Sequence, residues 1–382
     1  MVRTLDQCLN IEDVRAVAKR RAHKTVFEYI DGGADDEVTL RKNCQAFANY
    51  DLMYRVLEGV DQIDLSTTVL GQPIAVPFIL SPSAGNRLFH TQGELAVARA
   101  AAALGTIHTL STLSSVSIEE VAACADAPRW FQLYVWKDRA LVKEMLQRAK
   151  DNNFSALVLT VDFPIAGNRE RERRNGFTIP PKVTPRQVFE AMRAPAWTWD
   201  YLTSRPISYA NLSKDTPATS LADFVAEQMH AGFNWKDAEW LLGEWGGPAV
   251  IKGVLRTDDI RSAIDLGFNA IQVSNHGGRQ LDGAAAPLDV LAEAVQAAAG
   301  DAEVILDGGI RRGTDILKAL ALGAKAVSFA RPYLYGLAAG GEKGVRCALG
   351  ILYQELRRDM ALLGITRIED IDESFVRRSV TT

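Results

Sequence analysis

Short apolar or β-branched runs recur along the chain, each closed by Gly, Pro or polar residues and followed by a stretch with helical spacing. Eight such runs stand out: Pro77 to Pro82, Thr106 to Ser111, Trp130 to Val135, Ala156 to Asp162, Ala249 to Val254, Ala270 to Ser274, Glu303 to Asp307 and Ala326 to Ala330. Strands that alternate with helices imply parallel pairing. Eight units predict an α/β fold, a closed (β/α)8 TIM barrel with its functional groups at the carboxyl ends of the strands. The helices between them carry their own punctuation. Glu94 to Leu104 is alanine-rich and stops at Gly105, and Thr314 to Leu322 follows Gly313 and stops at Gly323.

Two stretches lie outside the repeat. Residues 1–64 contain a helical pattern from about Ile11 to Ile30, ended by Asp31-Gly32-Gly33-Ala34, and this N-terminal helical segment reads as a lid or as a plug for the barrel bottom. The other, residues 176–246, is an insertion between strands four and five. It holds prolines, polar clusters and the tryptophans at 197, 199, 235, 240 and 245. A connection this long usually carries a function. Trp235, Trp240 and Trp245 lie in a helical run and are expected to pack on the barrel. Trp197 and Trp199 are placed less easily there, and interfacial contact with a membrane or a partner is the competing expectation.

Composition narrows the field. At 382 residues and 47% hydrophobic the chain can bury a large core, and residues 1–382 read as one elaborated barrel domain. A net charge of −4 leaves no broad basic surface, and the one dense basic cluster, Arg169 to Arg174, is interleaved with Glu170 and Glu172. Nucleic acid is therefore not an expected partner. Cys8, Cys44, Cys124 and Cys347 are scattered, without the close pairs of a zinc site or redox dithiol, so no metal is expected. The opening residues lead into no apolar signal core, and no run reaches the roughly 18 apolar residues of a spanning helix. The expected location is cytoplasmic, with peripheral attachment to the inner face of the cytoplasmic membrane left open.

The candidate chemistry begins at Ser274-Asn275-His276-Gly277-Gly278-Arg279-Gln280-Leu281-Asp282, directly after a predicted strand. An isolated histidine is more often structural. Here Gly277 and Gly278 let the backbone turn sharply, so an imidazole and a guanidinium three residues apart can point the same way. That grouping suits taking a proton from a substrate while holding its carboxylate. No Gly-x-Gly-x-x-Gly follows a first strand, which argues against a nicotinamide site. Instead, Leu306-Asp307-Gly308-Gly309-Ile310-Arg311-Arg312-Gly313 follows strand seven and Phe329-Ala330-Arg331-Pro332 follows strand eight. Barrels commonly bind phosphate in these two loops.

These motifs resemble those of the FMN-dependent L-2-hydroxy acid dehydrogenase and oxidase family, and the resemblance runs from about Val14 to Ile371. It implies that the two late loops, through Asp307, Gly308, Gly309, Arg311, Ala330 and Arg331, hold the FMN phosphate. Ala330 stands where the family usually has Gly, which keeps the backbone donor. Lys252 matches the lysine facing the flavin N1 and O2 edge. Pro82, Ser83, Ala84, Ser111, Gln132, Thr160 and Ser274 fall where flavin contacts are expected. His276 resembles the catalytic base and Asp162 its partner. Arg279 and Arg169 match two arginines for the substrate carboxylate, Tyr29 a tyrosine that touches it, and Tyr134 one near the hydroxyl oxygen.

Oxidising a 2-hydroxy acid moves two electrons, and no side chain accepts a hydride, so a cofactor is required. The implied activity is FMN-dependent oxidation of an L-2-hydroxy acid, L-lactate or similar, to the 2-keto acid. The long tryptophan-bearing insertion is like that of dehydrogenase members, which pass electrons to a quinone or cytochrome. An oxidase that reduces dioxygen to hydrogen peroxide shares the same residues. A flavin-binding sensor or scaffold without turnover would not need the base. Leu113, Ile165 and Ala166 are expected to line an aliphatic pocket, and the resemblance implies a homotetramer.

Overall fold

The structure, a computed structural model, describes residues 2–177, 184–212 and 227–379. All eight predicted strands are present: Phe78–Leu80, His108–Ser111, Arg129–Tyr134, Ala156–Thr160, Ala249–Val254, Ala270–Val273, Glu303–Asp307 and Ala326–Phe329. They pair in parallel in chain order, and the eighth pairs with the first, Val327 opposite Phe78, so the barrel closes. Ala249–Val254 and Glu303–Asp307 match the predicted bounds, and the other strand ends differ by at most two residues.

The barrel interior divides by height. At the amino ends of the strands the inward side chains are Ile79, Ile107, Trp130, Ala156, Val158, Val250, Ala270, Ile305 and Ala326, which form one apolar cluster. Two residues further along each strand the same face carries polar groups, because successive side chains alternate across a strand. Ser81, Thr109, Gln132, Thr160, Lys252, Gln272, Asp307 and Ser328 occupy these upper positions, all buried. A bottom of apolar side chains therefore supports a polar floor beneath the carboxyl-end mouth.

The segment before the barrel corrects one expectation and decides between the two readings of another. Its helix is broken: Ile11–Arg21 ends at Ala22, and Lys24–Asp31 starts afresh with the His23 imidazole accepting from the Thr25 amide. It covers the mouth, as a lid. The Ala34 amide donates to the Gly278 carbonyl at 2.9 Å, and the Val38 and Thr39 amides donate to the Asp282 carboxylate. The bottom is plugged instead by a hairpin, Thr67–Val69 with Gln72–Ile74, whose Val69 and Ile74 join the lower apolar cluster.

Within the insertion, helices Pro185–Arg193, Pro195–Thr203 and Trp235–Trp245 are described. Trp245 is buried, with its indole donating to the Pro248 carbonyl, and Trp240 is half-buried, with its indole on Glu244 and Arg139 over its ring. Trp235, at the helix start, is the most open of the three at 38%. Trp197 does not face solvent. Its indole donates to the Leu88 carbonyl at 2.7 Å and its ring lies between His23 and Tyr201. Trp199 is 70% exposed.

Candidate active site

The polar floor is organised around Lys252. Its ammonium lies 3.3 Å from the Asp307 carboxylate and 3.1 Å from the Ser274 hydroxyl. That hydroxyl donates to Asp307 Oδ2 at 2.6 Å and accepts from the His276 amide, while Ser81 donates to Asp307 Oδ1 at 2.5 Å. Burial disfavours the charged lysine, but Asp307 and Asp162 together outweigh it and leave its pKa above the usual value. A fixed cation thus sits at the centre of the mouth, paired and hydrogen-bonded as a buried charge must be.

His276 and Asp162 meet beside it. His276 follows the sixth strand in the left-handed region at φ +58°, a conformation uncommon for a non-glycine residue, and this aims its ring across the mouth. Asp162 lies two residues beyond the fourth strand, with Oδ1 2.7 Å from His276 Nδ1. Burial raises the Asp162 pKa, but the His276 and Lys252 charges more than reverse that, leaving it low. Burial also drives the imidazole pKa down, against the pull of Asp162, so the neutral base is favoured. With Nδ1 committed to Asp162, Nε2 is the free nitrogen. Gly253 makes room for this pair: at φ +102°, a Cβ there would lie 2.5 Å from Asp162 Cγ.

The two arginines form the upper wall. Arg279 Nη1 donates to the Tyr29 and Gly32 carbonyls at 2.6 and 3.2 Å, at the carboxyl end of helix Lys24–Asp31, and its guanidinium lies 4.7 Å from the Tyr29 ring centre. Arg169 lies beside it, its Nε donating to the Arg279 carbonyl at 3.4 Å. Burial first and the Arg279 charge second lower its pKa. Tyr29 stacks on Phe177, and the Tyr134 ring centre is 6.4 Å from that of His276. Burial and the Asp162 charge push the Tyr134 phenol up, so it stays protonated as a donor.

Ser111, Gln132 and Thr160 form one chain: Ser111 donates to Gln132 Oε1 at 3.1 Å, and Gln132 Nε2 donates to Thr160 at 3.0 Å. Ser83 bonds Asn86 and Tyr333 through its hydroxyl, so Pro82, Ser83 and Ala84 can offer only backbone groups to a ligand. After the seventh strand, Gly308 and Gly309 adopt φ +116° and +82°, and a Cβ on Gly309 would lie 2.1 Å from the Asn43 carbonyl. After the eighth, helix Arg331–Leu363 begins at Ala330 with no side-chain cap. Its first amides have no partner within the helix and suit a phosphate.

The two arginines of the phosphate loops bond backbone carbonyls. Arg331 donates to the Ile30, Gly277 and Gly32 carbonyls, and burial pulls its pKa down to about 10. Arg311 donates to its neighbour's carbonyl at Ile310. Of the residues expected to line the pocket, Ile165 is 70% exposed and Ala166 is exposed, whereas Leu113 is buried. Phe163, not foreseen, fills the space beside the dyad, with its ring centre 5.2 Å from that of Tyr134 and 5.8 Å from that of His276. Ser81, Gln272, Ser328 and Glu172 were likewise missed. The first three were legible as inward neighbours at two-residue spacing from the apolar floor.

The residues present fit FMN. The floor is a buried set of donors and acceptors around one cation, the Gln272 amide nitrogen is buried without a protein partner, and two glycine-shaped turns with an uncapped helix start stand at the phosphate end. No group of acidic, His or Cys side chains able to hold a metal occurs among the described residues.

Comparison with known proteins agrees. An L-lactate oxidase of Nostoc sp. is 45% identical over 96% of this chain and 98% of its own. An L-lactate dehydrogenase of Pseudomonas syringae pv. syringae is 43% identical over 96% and 98%. The human 2-hydroxyacid oxidase 1 is 43% identical over 98% of each. Among solved structures, a monotopic membrane protein, (S)-mandelate dehydrogenase, superposes with a TM-score of 0.94 at 36% identity, over 98% of this chain and all of that one. The family profile described as FMN-dependent dehydrogenase matches residues 18–378, and the chain belongs to this family of FMN-dependent 2-hydroxy acid dehydrogenases and oxidases.

Proposed function

We propose that the protein oxidises a small L-2-hydroxy acid, L-lactate or one of similar size, to the 2-keto acid and passes the electrons to a membrane quinone or a cytochrome. The observation that carries the reaction is the His276–Asp162 pair at 2.7 Å beside the buried Lys252–Asp307 pair. Bound FMN supplies the two-electron acceptor that side chains lack. Arg279 and Arg169 hold the substrate carboxylate, a task that suits guanidinium geometry. Tyr29 also contacts that carboxylate. Tyr134 donates toward the hydroxyl oxygen, and His276 Nε2 accepts the hydroxyl proton. Asp162 stabilises the imidazolium so formed and keeps Nε2 free. Lys252 offers a fixed positive charge to the flavin as it gains electrons. Ser111, Gln132, Thr160, Ser274, Asp307 and the backbone of residues 82–84 would contact the flavin ring and side chain. Gly308, Gly309 and the amides at Ala330 and Arg331 would take its phosphate. His276→Gln tests the assignment: it should retain FMN and lose turnover by roughly four orders of magnitude, and near-normal turnover would remove His276 from the mechanism.

The acceptor is read from the insertion. Helices Pro185–Arg193 and Pro195–Thr203 leave Val188, Phe189, Met192, Trp199 and Leu202 exposed at helical spacing, which supports a peripheral lipid contact near a quinone. The likeness to a monotopic membrane protein supports the same reading. No helix among the described residues is long and apolar enough to cross a membrane. Transfer to dioxygen is the second reading, favoured by the 45% identity to an L-lactate oxidase. An anaerobic reduction screen over glycolate, L-lactate, L-2-hydroxybutyrate and L-mandelate, followed by quinone, cytochrome and oxygen as acceptors, separates them. Sustained hydrogen peroxide formation would overturn the dehydrogenase assignment.

A further inference from the structure

Helix Glu170–Asn175 rises beside the mouth without a buried residue. Its acidic side chains behave differently. Glu170 pairs with Arg174 on the solvent side, whereas Glu172 turns inward. Glu172 Oε1 accepts from Arg279 Nη2 at 3.0 Å, and its Oε2 lies 3.8 Å from Arg169 Nη1. Its side chain is 13% exposed, as sheltered as the 14% of Arg279. A single carboxylate therefore faces both guanidinia that, on the reading above, hold the carboxylate of the substrate.

We propose that Glu172 is a tethered competitor that occupies the anion seat of the Arg169–Arg279 pair in the substrate-free protein and yields it when a 2-hydroxy acid enters. Two adjacent, poorly hydrated guanidinia repel each other and need a counter-charge. Glu172 supplies it until the substrate does. Release requires only a rotation of the Glu172 side chain, because the helix is anchored separately. Arg171 holds Asp31 at 3.2 Å and also pairs with Glu37, and Asn175 bonds Glu28. The substrate thus exchanges with an existing ligand, and Glu172 sets affinity by lowering it. Arg279 Nη1 stays on the Tyr29 and Gly32 carbonyls meanwhile, so the guanidinium keeps its place as the ligand changes.

This inference rests on the reading of Arg169 and Arg279 as the carboxylate site, and the test separates the two. The probe is oxalate, a carboxylate with no C–H bond to oxidise, titrated into the FMN-loaded protein and followed by flavin absorbance. Glu172→Gln should bind oxalate roughly three- to tenfold more tightly, with KM for L-lactate falling in the same direction. Glu172→Ala should shift the same way, and Glu172→Asp should return toward the parent value. Unchanged or weaker oxalate binding in folded Gln and Ala variants, judged by their melting temperatures, overturns the proposal, since a merely structural glutamate would leave the site looser. Arg279→Met is the control. Loss of oxalate binding there upholds the carboxylate site whatever Glu172 does, and parent-like binding would sink the site itself and the competitor with it.

Discussion

Asp162 Oδ1 lies 2.7 Å from His276 Nδ1, joining groups 114 residues apart that follow strands four and six of the barrel. The contact fixes which ring nitrogen is free, and it opposes the burial that depresses the imidazole pKa. The neutral ring is the active base, so kcat/KM should fall as pH drops through the His276 pKa, which lies below the ordinary imidazole value. In Asp162→Asn the raising influence is gone, and the acid limb should move to still lower pH. The plateau should drop by roughly 100- to 10,000-fold, because the imidazolium formed on proton transfer loses its partner. Profiles of kcat/KM against pH for both proteins check this. An unaltered plateau would show that Asp162 is not coupled to the base.

Arg279→Lys should keep only part of the activity. The guanidinium spans the Tyr29 and Gly32 carbonyls on one nitrogen and a carboxylate on the other, and an ammonium cannot reproduce that fork. A loss of about 2 to 5 kcal/mol in transition-state binding is expected for Arg279→Met, with the lysine variant between it and the parent. Steady-state kinetics with L-lactate measure both, and equal values for lysine and arginine would show that the fork is not required.

Gly309→Ala should impair FMN retention more than folding of the barrel. The added Cβ would fall 2.1 Å from the Asn43 carbonyl at φ +82°, so the turn and the lid segment behind it must shift. The fraction of flavin bound after purification is the readout. Full flavin occupancy would mean that the phosphate turn tolerates the displacement or lies elsewhere.

Trp197 and Trp199, two positions apart, should respond differently to serine. Trp197→Ser removes the indole bond to Leu88 and the ring contact with His23, and a loss of about 3 to 5 kcal/mol of stability is expected for a large buried aromatic. Trp199→Ser, combined with Phe189→Ser, should leave the melting temperature and the anaerobic reduction of FMN by substrate nearly unchanged. The same double variant should weaken sedimentation with anionic lipid vesicles. Undiminished vesicle binding would assign this face to another role.

The barrel and much of its mouth were legible along the chain because their signals are local. Eight apolar runs with glycine or proline punctuation fixed eight strands and their order, and positions such as Gln132, Thr160 and Lys252 were readable as strand ends. His276 and Arg279 stood out by their spacing around Gly277 and Gly278, since both lie on one short turn. Lid and plug could not be told apart, however. The Ile11 to Ile30 pattern carries no mark of which end of the barrel it covers, and the hairpin around Gly71 that fills the bottom is too short to weigh as a run.

The sequence by itself determined the period of the strands, the apolar lower and polar upper halves of their inward faces, and the glycine turns after strands six and seven. Each is set by side-chain chemistry at one- to few-residue spacing. Tertiary structure alone decided that Arg331 bonds the Ile30 and Gly32 carbonyls of the lid, that Phe163 borders the dyad, and that Trp197 is interior while Trp199 is not. Only the closed barrel brings Arg279 to Glu172, whose nearness to Arg169 three residues away is local. Those outcomes depend on which neighbour reaches a side chain first across separate connections, a matter of distance and burial that a one-dimensional pattern does not contain.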